Sequence, residues 1–459
     1  MILFLKQSFW TSIISNASSL IALIGTAFLA RYISPETFGI YVLLIATREI
    51  ISVICSPSLS QTYLFSNGKL GDFKIVCKIN VIFSFLIILV TFIVAYFIDI
   101  YYENNHFNFI ILFGFLSALN NYSSIFFSIG EKQMNFKKTS LFRSLALSFS
   151  FIATCILAFY MGDNVEVLIY KEIIFTFLLF ILSVTFYKNL IKDDVYNKNT
   201  NFTFLLGYSK RSYFSRLTEI FTYRIFEIMT ANFLGKNILG LFNQVLGLAR
   251  IPYKFLGSIT ENILFVHLKN NIKKNRQEDF CLIQNLILFF TIPIILFFNL
   301  FNDVLIDIIL GSKWHEASKL IGLISTFSLI LPFHNGLITV YQASDNQRYY
   351  TFSNLIVLIT QIVGIILFEK NIEIFIIWFC ISFLLSTIFL TIKINYNDGF
   401  ATKKIIKFLI IIILISFATI AYHFNKSNYI LCVPILLWIY ILYKIRNIFM
   451  NFIIKWKNF

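Results

Sequence analysis

The sequence has few charged residues and lacks the motifs of soluble catalytic or metal-binding sites. Only 13% of its 459 residues are Asp, Glu, Lys or Arg, whereas 58% are hydrophobic. There is no P-loop, no HExxH pair and no nucleophile elbow. The five histidines are dispersed, and the six cysteines show no CxxC spacing. These absences predict no catalytic residues, no metal site, no disulfide framework and no cofactor.

What the sequence has instead is a series of long apolar runs, with a mean hydropathy of +0.78. Runs of about twenty apolar residues span a bilayer as helices, whereas a membrane β-barrel shows short alternating segments. The sequence therefore predicts an all-α polytopic membrane protein with about 12–14 transmembrane helices. We place the spans at 9–32, 38–65, 79–100, 107–129, 140–160, 165–187, 210–234, 239–266, 281–301, 317–341, 351–368, 371–392, 404–424 and 428–446.

Basic residues predict the orientation of these spans, because cytoplasmic loops are enriched in Lys and Arg. A cytoplasmic N-terminus places the lysine-rich loops on one face, whereas the opposite loops 98–107 and 161–167 contain no Lys or Arg. The net charge of +15 is therefore mostly a signal of topology and of contact with lipid headgroups. Because the charge is spread over many short loops, we expect membrane lipids and no nucleic acid as partners.

The chain also repeats itself at an offset of 201 residues, where Gly39 aligns with Gly240 and Tyr41 with Phe242. Six spans separate the copies, so both have the same orientation. A parallel repeat with a cavity between the halves is expected. The predicted domains are an N-terminal six-helix bundle at 1–187, a cytoplasmic linker at 188–208 and a C-terminal six-helix bundle at 209–394. The last part, 395–459, holds two extra helices and a basic cytoplasmic tail.

Charged side chains inside the spans are expensive, so they usually face a cavity or a partner. Apart from Lys210 and Arg211 at the start of the seventh span, those of the second, seventh and eighth spans are Arg48, Glu49, Arg216, Glu219, Arg224, Glu227, Arg250, Lys254 and Glu261. Arg250 and Lys254 are four residues apart, so two cations share one helix face without an acid between them. This pattern predicts a cationic cavity for an anion such as phosphate, which guanidinium groups bind through paired hydrogen bonds.

Simpler roles remain open for several of these residues. Glu219 and Glu227 each follow an arginine by three residues, so each pair can neutralise itself and stabilise helix packing. Lys171 and Glu172 can form an interfacial pair. The acids Glu49, Glu219, Glu227 and Glu261 are candidates for proton or sodium coupling, or they are counter-ions of the arginines.

Three stretches resemble the Wzx-type polysaccharide flippases of the multidrug/oligosaccharidyl-lipid/polysaccharide exporter superfamily. LARYISPETFGIYVLL (29–44) is similar to the turn that joins the first two helices of that family. LGKNILGLFNQVLGLARIPYKF (234–255) is similar to the family's phrase after helix seven. FNDVLIDIILGSKWHEASKLIGLIS (301–325) resembles the stretch between helices nine and ten.

The resemblance implies two six-helix bundles around a central cationic cavity, with alternating access and frequent ion coupling. It implies that an undecaprenyl-pyrophosphate-linked oligosaccharide repeat unit is moved from the cytoplasmic to the periplasmic leaflet of the inner membrane. The product would be O-antigen of lipopolysaccharide or capsule, and a polysaccharide polymerase and a chain-length regulator would be partners. Arg48, Arg224, Arg250 and Lys254 are the candidate contacts for the pyrophosphate and sugar.

Two other classes of protein are alternatives to this interpretation. A membrane polysaccharide polymerase or glycosyltransferase would need catalytic acids in a sizeable outer loop, and the short loop 98–107 offers only Asp99 and Glu103. A multidrug exporter of the same superfamily would favour an acidic cavity for cationic drugs. A lipid II flippase would need the same kind of cationic cavity and would differ in the sugar that it carries. We predict a transporter that is not an enzyme.

Overall fold

The computed structural model describes residues 2–56, 59–60, 63, 70–102, 107–132, 135–187, 202–254, 276–343, 347–368, 371–394 and 402–457. Within these residues the regular structure is helical, and each of the fourteen predicted spans overlaps a described helix. Parts of the second and eighth spans, including 255–266, lie outside the described residues. The α-helices are α1 Ile2–Tyr32, α2 Pro35–Cys55, α3 Leu70–Tyr102, α4 Phe107–Lys132, α5 Phe136–Met161, α6 Val165–Tyr187, α7 Phe202–Phe233, α8 Lys236–Ala249, α9 Arg276–Leu300, α10 Asn302–Ile309, α11 Ala317–Ile324, α12 Phe327–Ala343, α13 Gln347–Phe368, α14 Ile372–Lys393, α15 Thr402–Asn425 and α16 Cys432–Lys457.

Eleven of the described helical segments are long and apolar enough to cross a membrane. They correspond to α2–α6, α9, the α11–α12 segment and α13–α16, whereas α1, α7 and α8 are not among them. The span at α7 is predicted to be the least hydrophobic of the fourteen, because Arg216, Glu219, Arg224 and Glu227 interrupt it. The apolar surface of α3 is exposed along its length, as expected of a helix that faces lipid.

The tight turn between α1 and α2 depends on capping rather than on glycine. Ser34 is the N-cap of α2, and its hydroxyl accepts a 3.3 Å hydrogen bond from the amide of Thr37. Pro35 occupies the first helical position, where its missing N–H costs nothing. The nearest glycine, Gly39, lies inside α2, in its second turn.

The predicted span at 317–341 is divided into α11 and α12. Ser325 and Thr326, between the two helices, donate their hydroxyls to the carbonyls of Gly322 and Leu323 at 2.6 and 2.8 Å. Such side-chain bonds compete with the helical backbone pattern and favour a local break. The short helix α10 precedes this segment and has no counterpart among the predicted spans.

The chain forms two compact units, Met1–Gly240 and Leu241–Phe459. In the first unit α1 packs on α5, α3 on α4, α4 and α5 on α6, and α2 on α7. Most of the predicted linker 188–208 lies outside the described residues, which resume in helix at Phe202. The predicted domain limits stay a prediction.

Within the first unit, two glycines allow α2 and the start of α8 to approach at backbone distance. A Cβ atom on Gly39 would collide with the carbonyl of Lys236, and one on Gly240 would collide with the carbonyl of Pro35. The offset of 201 residues relates Pro35 to Lys236 and Gly39 to Gly240. The two glycines and the two carbonyls that they approach therefore occupy corresponding positions in the sequence repeat.

Candidate binding cavity

A cavity of about 540 Å³ lies in the first unit, between α2, α3, α4, α6 and α7. Tyr41, Ile45, Arg48 and Ser52 of α2 line it, and they recur at the spacing of one helix face. Ser117, Asn120, Asn121 and Ser124 of α4 line it at the spacing i, i+3, i+4, i+7. An apolar helix thus presents one polar face to the cavity.

Arg48 is held by α4 and α6. Its Nη1 donates to Oε2 of Glu172 at 2.9 Å, and its Nε donates to the hydroxyl of Ser117 at 3.0 Å. The two charged side chains are mostly buried, with 10% and 14% of their surfaces exposed. The guanidinium carbon also lies 5.6 Å from the ring centre of Phe113. Removing either partner of such a pair would leave an uncompensated buried charge.

Glu172 also interacts with a second cation, Lys171. Lys171 Nζ lies 3.6 Å from its Oε1 and donates at 2.7 Å to the hydroxyl of Tyr41. That hydroxyl donates in turn to Oε1 of Glu172 at 2.8 Å. Both Lys171 and Arg48 therefore depend on one carboxylate, and this group carries an excess of one positive charge.

Arg224 of α7 forms a second group with two acids. Its Nε donates to Oε2 of Glu49 at 2.7 Å, and its Nη1 donates to both carboxylate oxygens of Glu227 at 2.8 and 2.6 Å. This group carries an excess of one negative charge. Arg224 is not among the residues that line the cavity, whereas its partner Glu49 is.

The lining therefore carries two arginines, Arg48 and Arg216, and two glutamates, Glu49 and Glu172. Among the residues that the structure describes, Arg216 makes no ion pair, and Nη2 of Arg48 has no hydrogen-bond partner. An incoming anion can bind to those guanidinium N–H groups without first displacing a carboxylate.

Two amide side chains on the cavity wall have atoms without a hydrogen-bond partner among the described residues. Asn80 of α3 is only 1% exposed, and neither its Oδ1 nor its Nδ2 has a hydrogen bond within the described structure. The Nδ2 of Asn121 is in the same state. A buried amide without a partner costs free energy, so it is favourable for a bound polar group to pair with it. An amide offers both a donor and an acceptor, as a sugar hydroxyl requires.

The structure brings together only part of the predicted site. Arg48 and Glu49 line the cavity, and Arg224 and Glu227 form the ion-pair group beside it. Glu219 is exposed on α7 and has an interaction of its own. Arg250 and Lys254 belong to the second unit, where the Arg250 guanidinium lies 5.8 Å from the ring centre of Phe327. Glu261 lies outside the described residues.

The sequence interpretation missed the partners of Arg48 and the polar wall of the cavity. Lys171 and Glu172, for which an interfacial pair was one possibility, do lie 3.6 Å apart, but their side chains are mostly buried beside Tyr41. No sequence signal links Glu172 to a residue 124 positions earlier. The stripe from Ser117 to Ser124 does have a signal, because its polar residues recur at helical spacing.

Residues 28–319 match a family of proteins described as "Polysaccharide biosynthesis protein". No curated protein matches the sequence significantly. Solved structures with a similar fold include three transporters, all at low sequence identity.

One is the lipid II flippase MurJ in an inward closed conformation, with a TM-score of 0.61, 16% identity and coverage of 99% of this chain and 100% of that one. A multidrug resistance MATE family transporter of the MOP superfamily has a TM-score of 0.59 and 12% identity, with coverage of 91% and 99%. A MOP superfamily transporter from Pyrococcus furiosus has a TM-score of 0.59 and 11% identity, with coverage of 90% and 96%. These likenesses show an all-α polytopic membrane fold.

Proposed function

Because this chain belongs to the polysaccharide biosynthesis protein family, we propose that it is a flippase for a lipid-linked oligosaccharide. Its substrate is an undecaprenyl-pyrophosphate-linked repeat unit, which it moves from the cytoplasmic to the outer leaflet of the inner membrane for O-antigen or capsule synthesis. The observation that carries the proposal is the cavity that combines two arginines with a wall of amides and hydroxyls. Such a lining suits a ligand that is an anion at one end and a sugar at the other.

The pyrophosphate binds at Arg48 and Arg216. A pyrophosphate is very costly to bring into a low-dielectric space unless cations compensate its charge. Guanidinium groups bind phosphate oxygens through paired hydrogen bonds, and Nη2 of Arg48 is available for this among the described contacts. Arg48 can keep its bond to Glu172 through Nη1 while Nη2 binds the ligand. Lys171 also compensates Glu172, so that carboxylate does not depend on Arg48 alone.

The saccharide binds along α3 and α4. Asn80 and Asn121 have unpaired amide atoms, and Ser117 and Ser124 add hydroxyls on the same wall. Sugar hydroxyls would satisfy these groups, which adds binding free energy and removes an existing penalty. The prenyl chain stays in the bilayer, so the cavity need not be apolar.

The energy for transport comes from an ion gradient, the membrane potential or downstream use of the product, since the sequence has no ATPase motif. Glu49 and Glu172 are the carboxylates on the cavity wall. Protonation or sodium binding at either acid would change how firmly it holds its arginine, which links the coupling ion to anion binding. No covalent step is required of the chain.

The test uses cells that lack the protein, in which lipids are extracted and analysed by mass spectrometry. We expect the complete undecaprenyl-pyrophosphate oligosaccharide to accumulate and the surface polymer to disappear. The wild-type gene should restore both, whereas Arg48→Ala should reduce export about tenfold or more. Arg143→Ala is the matched control, because Arg143 pairs with Glu131 at 2.9 Å and half of its side chain is exposed.

Other lipid patterns would contradict the proposal. A truncated sugar, or a complete unit already on the outer surface without polymer, would favour a polymerase or glycosyltransferase. Unchanged lipids together with sensitivity to cationic drugs would favour a multidrug exporter. Equal loss of export in the Arg48 and Arg143 variants would show that Arg48 has no special role in binding the cargo.

A further inference from the structure

The second unit contains a separate groove of about 560 Å³, formed by α9, α15 and α16. These helices are fixed against one another, since the indole of Trp438 donates to the carbonyl of Phe289 at 2.9 Å and stacks on its ring at 5.8 Å. The ammonium of Lys444 lies 5.0 Å from the ring centre of Phe408, which links α16 to α15. The shape of the groove is therefore fixed by the packing of these three helices.

The charged residues of the groove lie at one end. Lys404 and Lys407 occupy the first two turns of α15, and Glu278 lies in the first turn of α9. Lys444 joins them from α16. Three lysines face a single glutamate, and in the described part of the chain none of the three forms an ion pair. Like charges gathered in this way are stabilised by an anion.

Apart from Asn285 and Tyr440, the rest of the groove is apolar, and its rim is exposed. Leu282, Phe408 and Ile411 continue it from the lysines toward the middle of the helices. On its rim Leu282 is 39% exposed and Tyr440 is 52% exposed. Neighbouring residues of α16 such as Leu436 are also exposed, so this surface faces acyl chains. An apolar floor that opens toward lipid can bind an acyl chain, whereas a free inorganic anion would make no favourable contact with it.

We propose that this groove binds an anionic phospholipid, with its phosphate among Lys404, Lys407 and Lys444 and an acyl chain along Leu282 and Ile411. The positive-inside rule assigns the lysine end to the cytoplasmic face, where negatively charged headgroups attract clustered lysines. A lysine ammonium suits this role, because it is a compact charge with three rotatable donors. The site lies on the second unit and does not depend on the proposed cargo.

The test measures lipid binding to the purified full-length protein by native mass spectrometry, with phosphatidylglycerol and phosphatidylcholine of identical acyl chains. We expect phosphatidylglycerol to bind about tenfold more tightly. The variant Lys404→Gln/Lys407→Gln/Lys444→Gln should lose this preference. The control Lys74→Gln/Lys137→Gln/Lys138→Gln removes the same charge from lysines that are predicted to lie on the same membrane face, and it should keep the preference.

A second variant keeps the test informative if the triple substitution unfolds the protein. Glu278→Gln removes the one acid of the groove, so we expect phosphatidylglycerol to bind about two- to threefold more tightly. Equal binding of the two lipids by the wild type, or equal losses in both triple variants, would overturn the proposal. Displacement of the lipid by millimolar inorganic phosphate would assign a free-phosphate site instead. Preferential displacement by undecaprenyl phosphate would assign the groove to the cargo lipid.

Discussion

Glu172 is the single carboxylate that Arg48 and Lys171 share, and this sets the effect of replacing it. In Glu172→Gln, two mostly buried cations lose their counter-charge. The free energy of unfolding should therefore fall by about 3 kcal/mol, as measured by thermal or denaturant unfolding in detergent. The control Glu131→Gln breaks the more exposed pair with Arg143 and should cost less than about 1 kcal/mol.

Removing one of the two cations as well should recover part of this loss. In Glu172→Gln/Lys171→Met the remaining cation is Arg48, which can still bond to the new amide and to Ser117. We expect the double variant to be more stable than Glu172→Gln alone, by about 1 kcal/mol or more. Additive losses would show that Lys171 and Glu172 do not interact in the folded protein.

Replacing Asn80 by an apolar residue is expected to raise the stability of the protein and to lower its transport activity. Its amide is buried without a partner in the described structure, so Asn80→Leu removes a polar group that costs free energy. The unfolding free energy should rise by about 1 kcal/mol, because an apolar side chain of similar size replaces it. Transport should fall about tenfold, because the sugar would lose its amide contacts.

Asn299 is the matched control for that experiment. It is also buried, but its amide donates to the carbonyl of Ile295 at 2.8 Å and to the hydroxyl of Ser325 at 3.2 Å. Asn299→Leu should therefore destabilise the protein. If Asn80→Leu were destabilising to the same degree, the Asn80 amide would have partners in the folded protein. The proposal that the saccharide binds along α3 and α4 would then lack its main observation.

At the scale of the helix, the contact between α2 and the start of α8 depends on the missing side chains of Gly39 and Gly240. Gly39→Ala would place a methyl group on the backbone carbonyl of Lys236, which cannot move aside as a side chain can. Close backbone approach through small residues is a main source of helix association in membranes. We expect the melting temperature in detergent to fall by several degrees, equivalent to about 1–3 kcal/mol.

Gly247→Ala provides the comparison within α8. A Cβ atom at Gly247 meets no atom within 4 Å among the described residues, and alanine is the better helix former. This variant should be as stable as the wild type or slightly more stable. Equal destabilisation by Gly39→Ala and Gly247→Ala would mean that helix propensity, rather than the backbone contact, decides the outcome.

The helices could be predicted from the sequence, whereas the partners of their charges could not. Hydropathy locates the apolar spans, because a helix in lipid satisfies its own backbone and must be about twenty residues long. Even the polar α7 could be placed, since the charges Arg216, Glu219, Arg224 and Glu227 recur in it at helical spacing. Yet Arg48 reaches Glu172 and Arg224 reaches Glu49 across 124 and 175 positions. Those contacts follow from packing, which no local pattern encodes.

At the scale of the whole molecule, the orientation in the membrane determines which face each site serves. α15 is the thirteenth of the fourteen predicted spans, so with a cytoplasmic N-terminus it begins inside and ends outside. Lys403 at its start and Asn425 at its end are both exposed and lie 22 residues apart. At 1.5 Å per residue this separation is about 33 Å, enough to place them on opposite sides of the bilayer.

Single cysteines at these two positions test the orientation in intact cells. All six native cysteines are first replaced by serine, since Cys432 is exposed close to Asn425. A membrane-impermeant maleimide should label Asn425→Cys from outside and should label Lys403→Cys only after the membrane is permeabilised. The reverse pattern would invert the topology and would place the groove of Lys404, Lys407 and Lys444 on the outer face. The attraction of cytoplasmic anionic headgroups could then no longer account for a lipid bound in that groove.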